Sequence, residues 1–313
     1  MEGGAFMTSI PAGKNARKRL FRMNVPLLIM FFPVALYFLI FKYTPMLGLV
    51  LAFKQYYLAE GILGSPWVGL RNFELLFSNV QMLNIIRNTL VLSLLKIAVS
   101  FPFPILLAIL LNELRKMWFK RTVQTLLYMP HFLNWVIVGG MVVTLFSIES
   151  GLINQLLDRW FGFRYAFLYN EASWIAVLLG SGIWKEAGFS AIIYLAAMSA
   201  IDPGLYESAS MDGANKFRQI WHITLPGIRP TIIILLILSM ESVMDLSFDQ
   251  FYMLQNPVVS SVAEVIPTYI YKMGIQGGQF SITTAMGLFS SLVGLVLIVS
   301  ANWIARKFNQ SLW

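Results

Sequence analysis

The 313-residue chain carries a formal net charge of +8, is 58% hydrophobic and only 12% charged, and has a mean hydropathy of +0.69. A soluble domain carries about 25% charged residues, so this composition excludes an ordinary soluble enzyme and puts the chain in a bilayer. No cysteine occurs, which excludes disulfides, thiolate metal sites and cysteine nucleophiles.

Residues 1–24 form a basic tail containing Lys14, Arg17, Lys18, Arg19 and Arg22, and an apolar run follows. This is the outline of a signal peptide, but no small-residue cleavage site follows it, and apolar character resumes beyond Lys42-Tyr43-Thr44-Pro45 as far as Phe53. The reading is an uncleaved first helix over 25–53, kinked or tilted near Pro45 or projecting past the outer surface. Crossing a hydrocarbon core of about 30 Å takes roughly 20 helical residues. Further apolar runs suited to this lie at 88–111, 122–147, 172–198, 231–254 and 281–305. They are too long and continuous for barrel strands, so the predicted fold is an all-α membrane protein with six transmembrane helices. Pro102 and Pro104 mark a kink or unwinding in the second span, read equally as part of a gate or as a static bend. In the fourth span Lys185 and Glu186 are adjacent, about 100° apart on a helix, and are expected to have separate partners. Trp67, Trp118, Trp160 and Trp303 lie near span ends, where interfacial belts place indoles. His131 and His222 fall in different regions, which argues against a metal site or a catalytic pair.

Lys and Arg counts set the orientation. With a cytoplasmic amino terminus the inside segments hold 14 basic residues and the outside segments 6, so both termini and residues 199–230 are assigned to the cytoplasm. The positive charge therefore reports topology, and no nucleic-acid partner is implied. The chain divides into the tail 1–24, a first helix with external loop over 25–84, a core of five spans over 85–306, and a tail over 307–313.

Between the fourth and fifth spans lies "YESASMDGANKFRQIWHITLP" (206–226). Asp202-Pro203 has the form of a helix start. Leu205, Ser208, Ala209 and Asp212 then share a mostly small face, and Gly213 breaks the helix. From Lys216 onward, Phe217, Ile220, Trp221 and Thr224 form one stripe of an amphipathic helix that Pro226 is expected to end. Two short helices would lie along the inner membrane face with the apolar stripe packed inward and the other surface free for a partner.

Glu207-Ser208-Ala209, three residues, Gly213, nine residues, Ile223, one residue and Leu225-Pro226 resemble the EAA loop of permease subunits in bacterial ATP-binding-cassette (ABC) importers. Ser208 stands where that family usually has alanine, and both are small. "WVGLRNF" (67–73), "GIWKEAGFSAIIYLAAM" (182–198) and "FDQFYMLQNP" (248–257) are similar to its oligosaccharide and polysaccharide branch, and the likeness covers most of 25–306. The resemblance implies a type-I importer permease fold in a bacterial cell membrane. It also implies a second permease subunit, two separate ATPase subunits holding ATP and Mg, an extracellular solute-binding protein, and a carbohydrate substrate. Glu207, Ser208, Ala209, Gly213, Ile223, Leu225 and Pro226 would then be the ATPase-coupling residues. Glu207 has a second reading as a carboxylate stabilising the first turns of its helix, worth about 0.3–1 kcal/mol. No phosphate-binding loop occurs in the chain, so no cofactor is assigned to it and it is not itself an enzyme.

In the fifth span Glu241, Asp245, Phe248, Asp249 and Tyr252 fall within an arc of about 100°. Carboxylates with aromatic faces suit a sugar pathway; the same carboxylates also suit ion pairs with Lys42, Lys96 or Lys185. Carboxylates do not favour a uronate, so an acidic saccharide would need basic groups from the partner subunit. Lys42 has the alternative of snorkelling to the interface. Two other classes compete: an ion-coupled secondary transporter using Glu241, Asp245 or Asp249, and an intramembrane enzyme, for which no nucleophile or zinc motif is present.

Overall fold

A computed structural model describes residues 14–241 and 243–307, with side chains from residue 24 onward except at Glu241. Its elements, in chain order, are α1 (Asn24–Phe53), α2 (Arg71–Ser78), α3 (Val80–Asn112), α4 (Met117–Phe132), α5 (Trp135–Phe146), α6 (Leu152–Phe161), α7 (Glu171–Ser199), α8 (Pro203–Met211), α9 (Lys216–Met240), α10 (Phe248–Leu254), α11 (266–276) and α12 (Phe280–Arg306). Among the described residues α1, α3, α7, α9 and α12 are each long and apolar enough to cross a membrane. Counted as one crossing, the pair α4 and α5, bent by 101°, brings the number to six.

Three features of these helices differ from the sequence reading. The run 122–147 is not one straight helix: Pro130 leads into a 3-10 turn over Met129–Phe132, and Asn134 caps the next helix by accepting from the Val136 amide at 3.0 Å. Pro226 does not end its helix. A π turn over Ile220–Thr224, closed by the Leu225 amide on the Ile220 carbonyl, shifts the ladder just before the proline, and α9 continues through Pro226 and Pro230. Such a widened turn relieves the clash of a proline ring with the preceding turn. At its other end α9 stops at residues 240–241, so the predicted span 231–254 is two helices joined by a non-helical segment. Near Pro45 α1 changes pitch through a π turn over Leu39–Tyr43, and the Thr44 hydroxyl donates to the Leu39 carbonyl at 2.9 Å. The helix α3 runs through Pro102 and Pro104 with Phe101 still in helical dihedrals.

Packing is uneven. No residue in the most apolar window of α1 is buried within the chain, whereas α7 is the central helix. Ala108 on α3 and Ala191 on α7 are completely buried with Tyr194, Met198 and Ile228, and small residues here let helix backbones approach closely. A second cluster joins Trp135, Trp174, Phe251, Leu254 and Val259, and a third joins Ala52, Leu76, Ile85, Tyr269 and Met286. Gly139 makes the α5–α10 contact possible, since a Cβ there would stand 2.6 Å from Met253 Cβ. Trp67, Trp118, Trp160 and Trp303 are all exposed.

Candidate functional site

Two regions gather the predicted residues. The first is a hook of α8, a tight turn and the start of α9. Asp202 accepts from the Gly204 amide at 2.9 Å and so caps α8, and Asn215 caps α9 through the Arg218 amide at 2.9 Å. Between them Gly213 sits at φ +76°, and the Ala214 amide reaches the Ala209 carbonyl at 2.9 Å. This is a Schellman ending, which needs a left-handed residue and therefore favours glycine. Two side-chain pairs lock the arms together: Tyr206 OH with Thr224 Oγ1 at 3.0 Å, and Gln219 Nε2 donating to Ser210 Oγ at 2.8 Å. Lys216 Nζ lies 3.0 Å from Glu113 Oε2, fixing the hook to the end of α3.

Glu207 and Ser208 are exposed, Ala209 is half-buried, and Ser208 turns its hydroxyl back to the Gly204 carbonyl at 2.9 Å. Ile223 and Leu225 are half-buried and Pro226 is exposed. The expected inward stripe divides. Thr224 is buried and Ile220 half-buried, but Phe217 is 73% and Trp221 60% exposed, their rings stacked 6.4 Å apart. With Met211, 83% exposed, they give the hook an apolar surface that the rest of the described chain leaves uncovered.

The second region surrounds the interruption after α9. The stripe predicted there is not one helical face. Asp245 lies in the non-helical segment, Phe248, Asp249 and Tyr252 belong to α10, and the side chain of Glu241 lies outside the described residues. Backbone groups freed inside a membrane protein must be satisfied by protein. Here Ser93 on α3 donates to the Val243 carbonyl, and Ser290 on α12 donates to the Met244 carbonyl at 3.2 Å. Gln250 is buried and donates to the Leu178 carbonyl at 2.8 Å, while Trp174 Nε1 donates to the Leu254 carbonyl at 2.8 Å, anchoring α10 on α7.

Asp245 borders two cavities. One, of about 430 Å³, is walled by Ser93, Lys96 and Ser100 from α3, by Glu186 and Ser190 from α7, and by Leu235 and Ser239 from α9. The other, of about 830 Å³, lies between Asp245 and the α11–α12 pair. Volumes of roughly 300–1,000 Å³ are those of small-molecule sites. The rings of Phe248 and Tyr252 meet that of Tyr271 at centroid distances of 5.0 and 5.2 Å, an aromatic group that sequence spacing missed because Tyr271 arrives from α11.

Lys185 and Glu186 also differ from expectation, for they pair with each other. Lys185 Nζ lies 2.8 Å from Glu186 Oε1 and 2.9 Å from the His131 carbonyl, while His131 Nδ1 lies 2.7 Å from Glu186 Oε2. The His131 ring stacks on Phe189 at 3.9 Å. The network occupies the elbow between α4 and α5, so a long lysine side chain folding back along its helix overrides the 100° between neighbouring residues. Among the described residues no cluster of His, Asp or Glu has the arrangement of a metal site.

Residues 100–312 match the family described as "Binding-protein-dependent transport system inner membrane component". The chain is 48% identical over 300 residues to the polygalacturonan/rhamnogalacturonan transport system permease protein YteP of Bacillus subtilis (strain 168), covering 95% of this chain and 94% of the relative. It is 46% identical over 285 residues to protein LplB of the same organism, covering 91% of this chain and 89% of that one. Its fold superposes with a TM-score of 0.87, at 41% identity, on a chain of the crystal structure of a bacterial ABC transporter involved in the import of the acidic polysaccharide alginate, covering 94% of this chain and 99% of that chain. A second structure, of the bacterial alginate ABC transporter with an alginate pentasaccharide-bound periplasmic protein, gives 0.87 at 40% identity, covering 94% of this chain and 98% of that chain.

Proposed function

Because this chain belongs to the family of binding-protein-dependent transport system inner-membrane components, we propose that it is the permease subunit through which an ABC importer passes an oligosaccharide derived from a polysaccharide. It is a multi-pass membrane protein and a transport subunit, with no enzymatic role of its own. Nucleotide and Mg act on the partner ATPases; this chain supplies the path and the lever. The saccharide class is supported by the relatives named for polygalacturonan/rhamnogalacturonan and alginate transport. The ion-coupled alternative, which uses protonation of Glu241, Asp245 or Asp249, has no support among the family and relatives matched.

The observation that carries the reading is the hook's construction. A surface of Met211, Phe217 and Trp221 stands outward on two arms locked by Tyr206–Thr224 and Gln219–Ser210. One arm is the start of α9, which runs without a stop to the interruption beside Asp245. The hook faces the cytoplasm, as the excess of basic residues on its side favours. Glu207 and the exposed apolar side chains dock on the ATPase, and Gly213 holds the angle between the arms. Closure of the ATPases then displaces a rod whose far end, at Leu235 and Ser239, borders the smaller cavity. Asp245, Phe248, Asp249, Tyr252 and Glu241 line the path, with Tyr271 completing the aromatic surface on which sugar rings slide.

The test uses the assembled importer in proteoliposomes. Charge reversal at Glu207 together with Trp221→Ser should release the ATPase on purification and abolish ATP-driven saccharide uptake, while the permease remains in the membrane. Full uptake with the ATPase still bound would remove the hook from the coupling role.

A further inference from the structure

We infer that the turn joining α3 to α4 is a binding surface for the headgroups of anionic phospholipids in the leaflet on the hook's side, and that a lipid held there steadies the hook. The second half rests on the reading that the hook docks the ATPase. The turn, residues 113–116, is four residues long, so everything on it lies at the mouth of two membrane crossings, α3 and the α4–α5 pair. It reads Glu113-Leu114-Arg115-Lys116, and α4 opens with Met117-Trp118-Phe119-Lys120-Arg121. Four cations thus fall within seven residues. Glu113 is the one carboxylate between residues 75 and 148, and it is taken by Lys216 of the hook at 3.0 Å, which also puts the turn on the hook's side. Arg115, Lys116 and Arg121 are exposed and Lys120 is half-buried; among the described residues none of the four is in an ion pair.

Two features favour lipid over an acidic soluble protein as the occupant. The cations are interleaved with exposed apolar side chains, Met117, Trp118 and Phe119, and Trp118 is 68% exposed. At 100° per residue Trp118, Leu126 and Met129 also lie within about 80° of one another on α4. All three are exposed, so the face that carries the indole continues along the crossing as an apolar stripe. A phospholipid presents an anion at the turn and hydrocarbon along the stripe in one molecule. The Arg115 and Arg121 forks match two phosphate oxygens, the lysines add point charge, and an indole sits well at headgroup level. Cations this close to a membrane surface attract anionic lipid from within a Debye length. The hook enters through Glu113 at the end of α3 and Lys216 at the start of α9. An exposed pair holds little by itself, so how firmly the hook is seated depends on how firmly the turn is fixed. A bound headgroup fixes the turn.

The experiment puts the complete importer into phosphatidylcholine nanodiscs containing dibrominated phosphatidylglycerol or, at the same fraction, dibrominated phosphatidylcholine. Bromine quenches nearby tryptophan, and the quenching lost in Trp118→Phe is the share of Trp118. That share should show a relative association about fivefold or more in favour of phosphatidylglycerol. Arg115→Gln with Lys116→Gln leaves most of the orienting basic residues in place and should lower the preference by about fivefold, whereas Arg115→Lys with Lys116→Arg should keep it. If the glutamine pair fails to assemble, Arg121→Gln decides by the same measure. ATP-driven uptake in proteoliposomes should rise by about fivefold on adding phosphatidylglycerol, but by less than about twofold in the glutamine pair. Glu113→Gln, which cuts the tie to the hook, should keep the lipid preference and lose the rise in uptake. Equal quenching by the two lipids, or release of phosphatidylglycerol by millimolar inorganic phosphate, overturns the lipid surface. So does a glutamine pair that weakens ATPase binding in pure phosphatidylcholine, since the turn would then serve the ATPase. A full rise in uptake in Glu113→Gln overturns the link to the hook. An importer that moves no saccharide in either lipid, with the Trp118 preference intact, overturns the transport reading and leaves the lipid surface standing.

Discussion

The two ends of α9 behave in opposite ways. At the hook the chain carries polar residues, a π turn and two prolines, yet it stays helical. Some twenty residues on, within a run that the sequence reads as one span, residues 243–247 are not helical. Local preference predicts the reverse at both places. What decides is the supply of hydrogen-bond partners. At the hook the widened turn closes its own ladder by the Leu225 amide on the Ile220 carbonyl, so Pro226 costs no helix. At the interruption Ser93 and Ser290 from neighbouring helices take the carbonyls of Val243 and Met244, so leaving the helix is tolerated inside the bilayer.

This contrast makes the hook a stiff end and the interruption a compliant one, and substitutions can separate them. The largest effect is expected from Gly213→Pro: φ of +76° is out of reach for a proline ring fixed near −65°, a conflict of about 3 kcal/mol or more. Uptake in proteoliposomes should fall to background while the permease still purifies from the membrane. A second, smaller loss is expected at the apolar surface, where Trp221→Ala should cost roughly 2 kcal/mol of ATPase affinity, about a thirtyfold drop, read by titrating ATPase onto permease in nanodiscs. At the other end, Ser93→Ala combined with Ser290→Ala leaves two buried carbonyls unpaired at about 1–3 kcal/mol each. The free energy of unfolding in detergent should fall by that amount, and binding of the ATPase should be unchanged. The smallest effect is expected for Tyr206→Phe, which removes one of the two pairs locking the arms and should cost about 1 kcal/mol, seen as faster amide exchange in α8 with partial loss of uptake. Should the serine variants alone weaken ATPase binding, the two ends are not independent and the comparison fails.

Much of the hook was readable beforehand because its signals are local. Asp202 before Pro203, Gly213 at the turn and the spacing from Glu207 to Leu225-Pro226 each act within a few residues. The orientation of Phe217 and Trp221 was not readable, since periodicity gives a common stripe but not which side of it the rest of the protein covers. The site around Asp245 was less readable still. Its residues stand out in the sequence as polar intruders in an apolar run, but the serines that permit the interruption, Tyr271 that completes the aromatic group and Lys96 that lines the cavity come from three other helices. The pairing of Lys185 with Glu186 and His131 depends likewise on the elbow at Pro130 and Asn134.

By itself the sequence determined that this protein lives in a membrane, that it is helical, roughly where its crossings lie and where a short helical hook interrupts them. Each of those follows from the free energy of moving a segment from water to hydrocarbon, or from hydrogen bonds that close within one turn. Only the tertiary structure decided where a helix breaks, which charges find each other and what borders the cavities. Inside a bilayer those outcomes depend on whether a group on one helix meets an acceptor or donor on another, and that meeting exists only once the helices have packed.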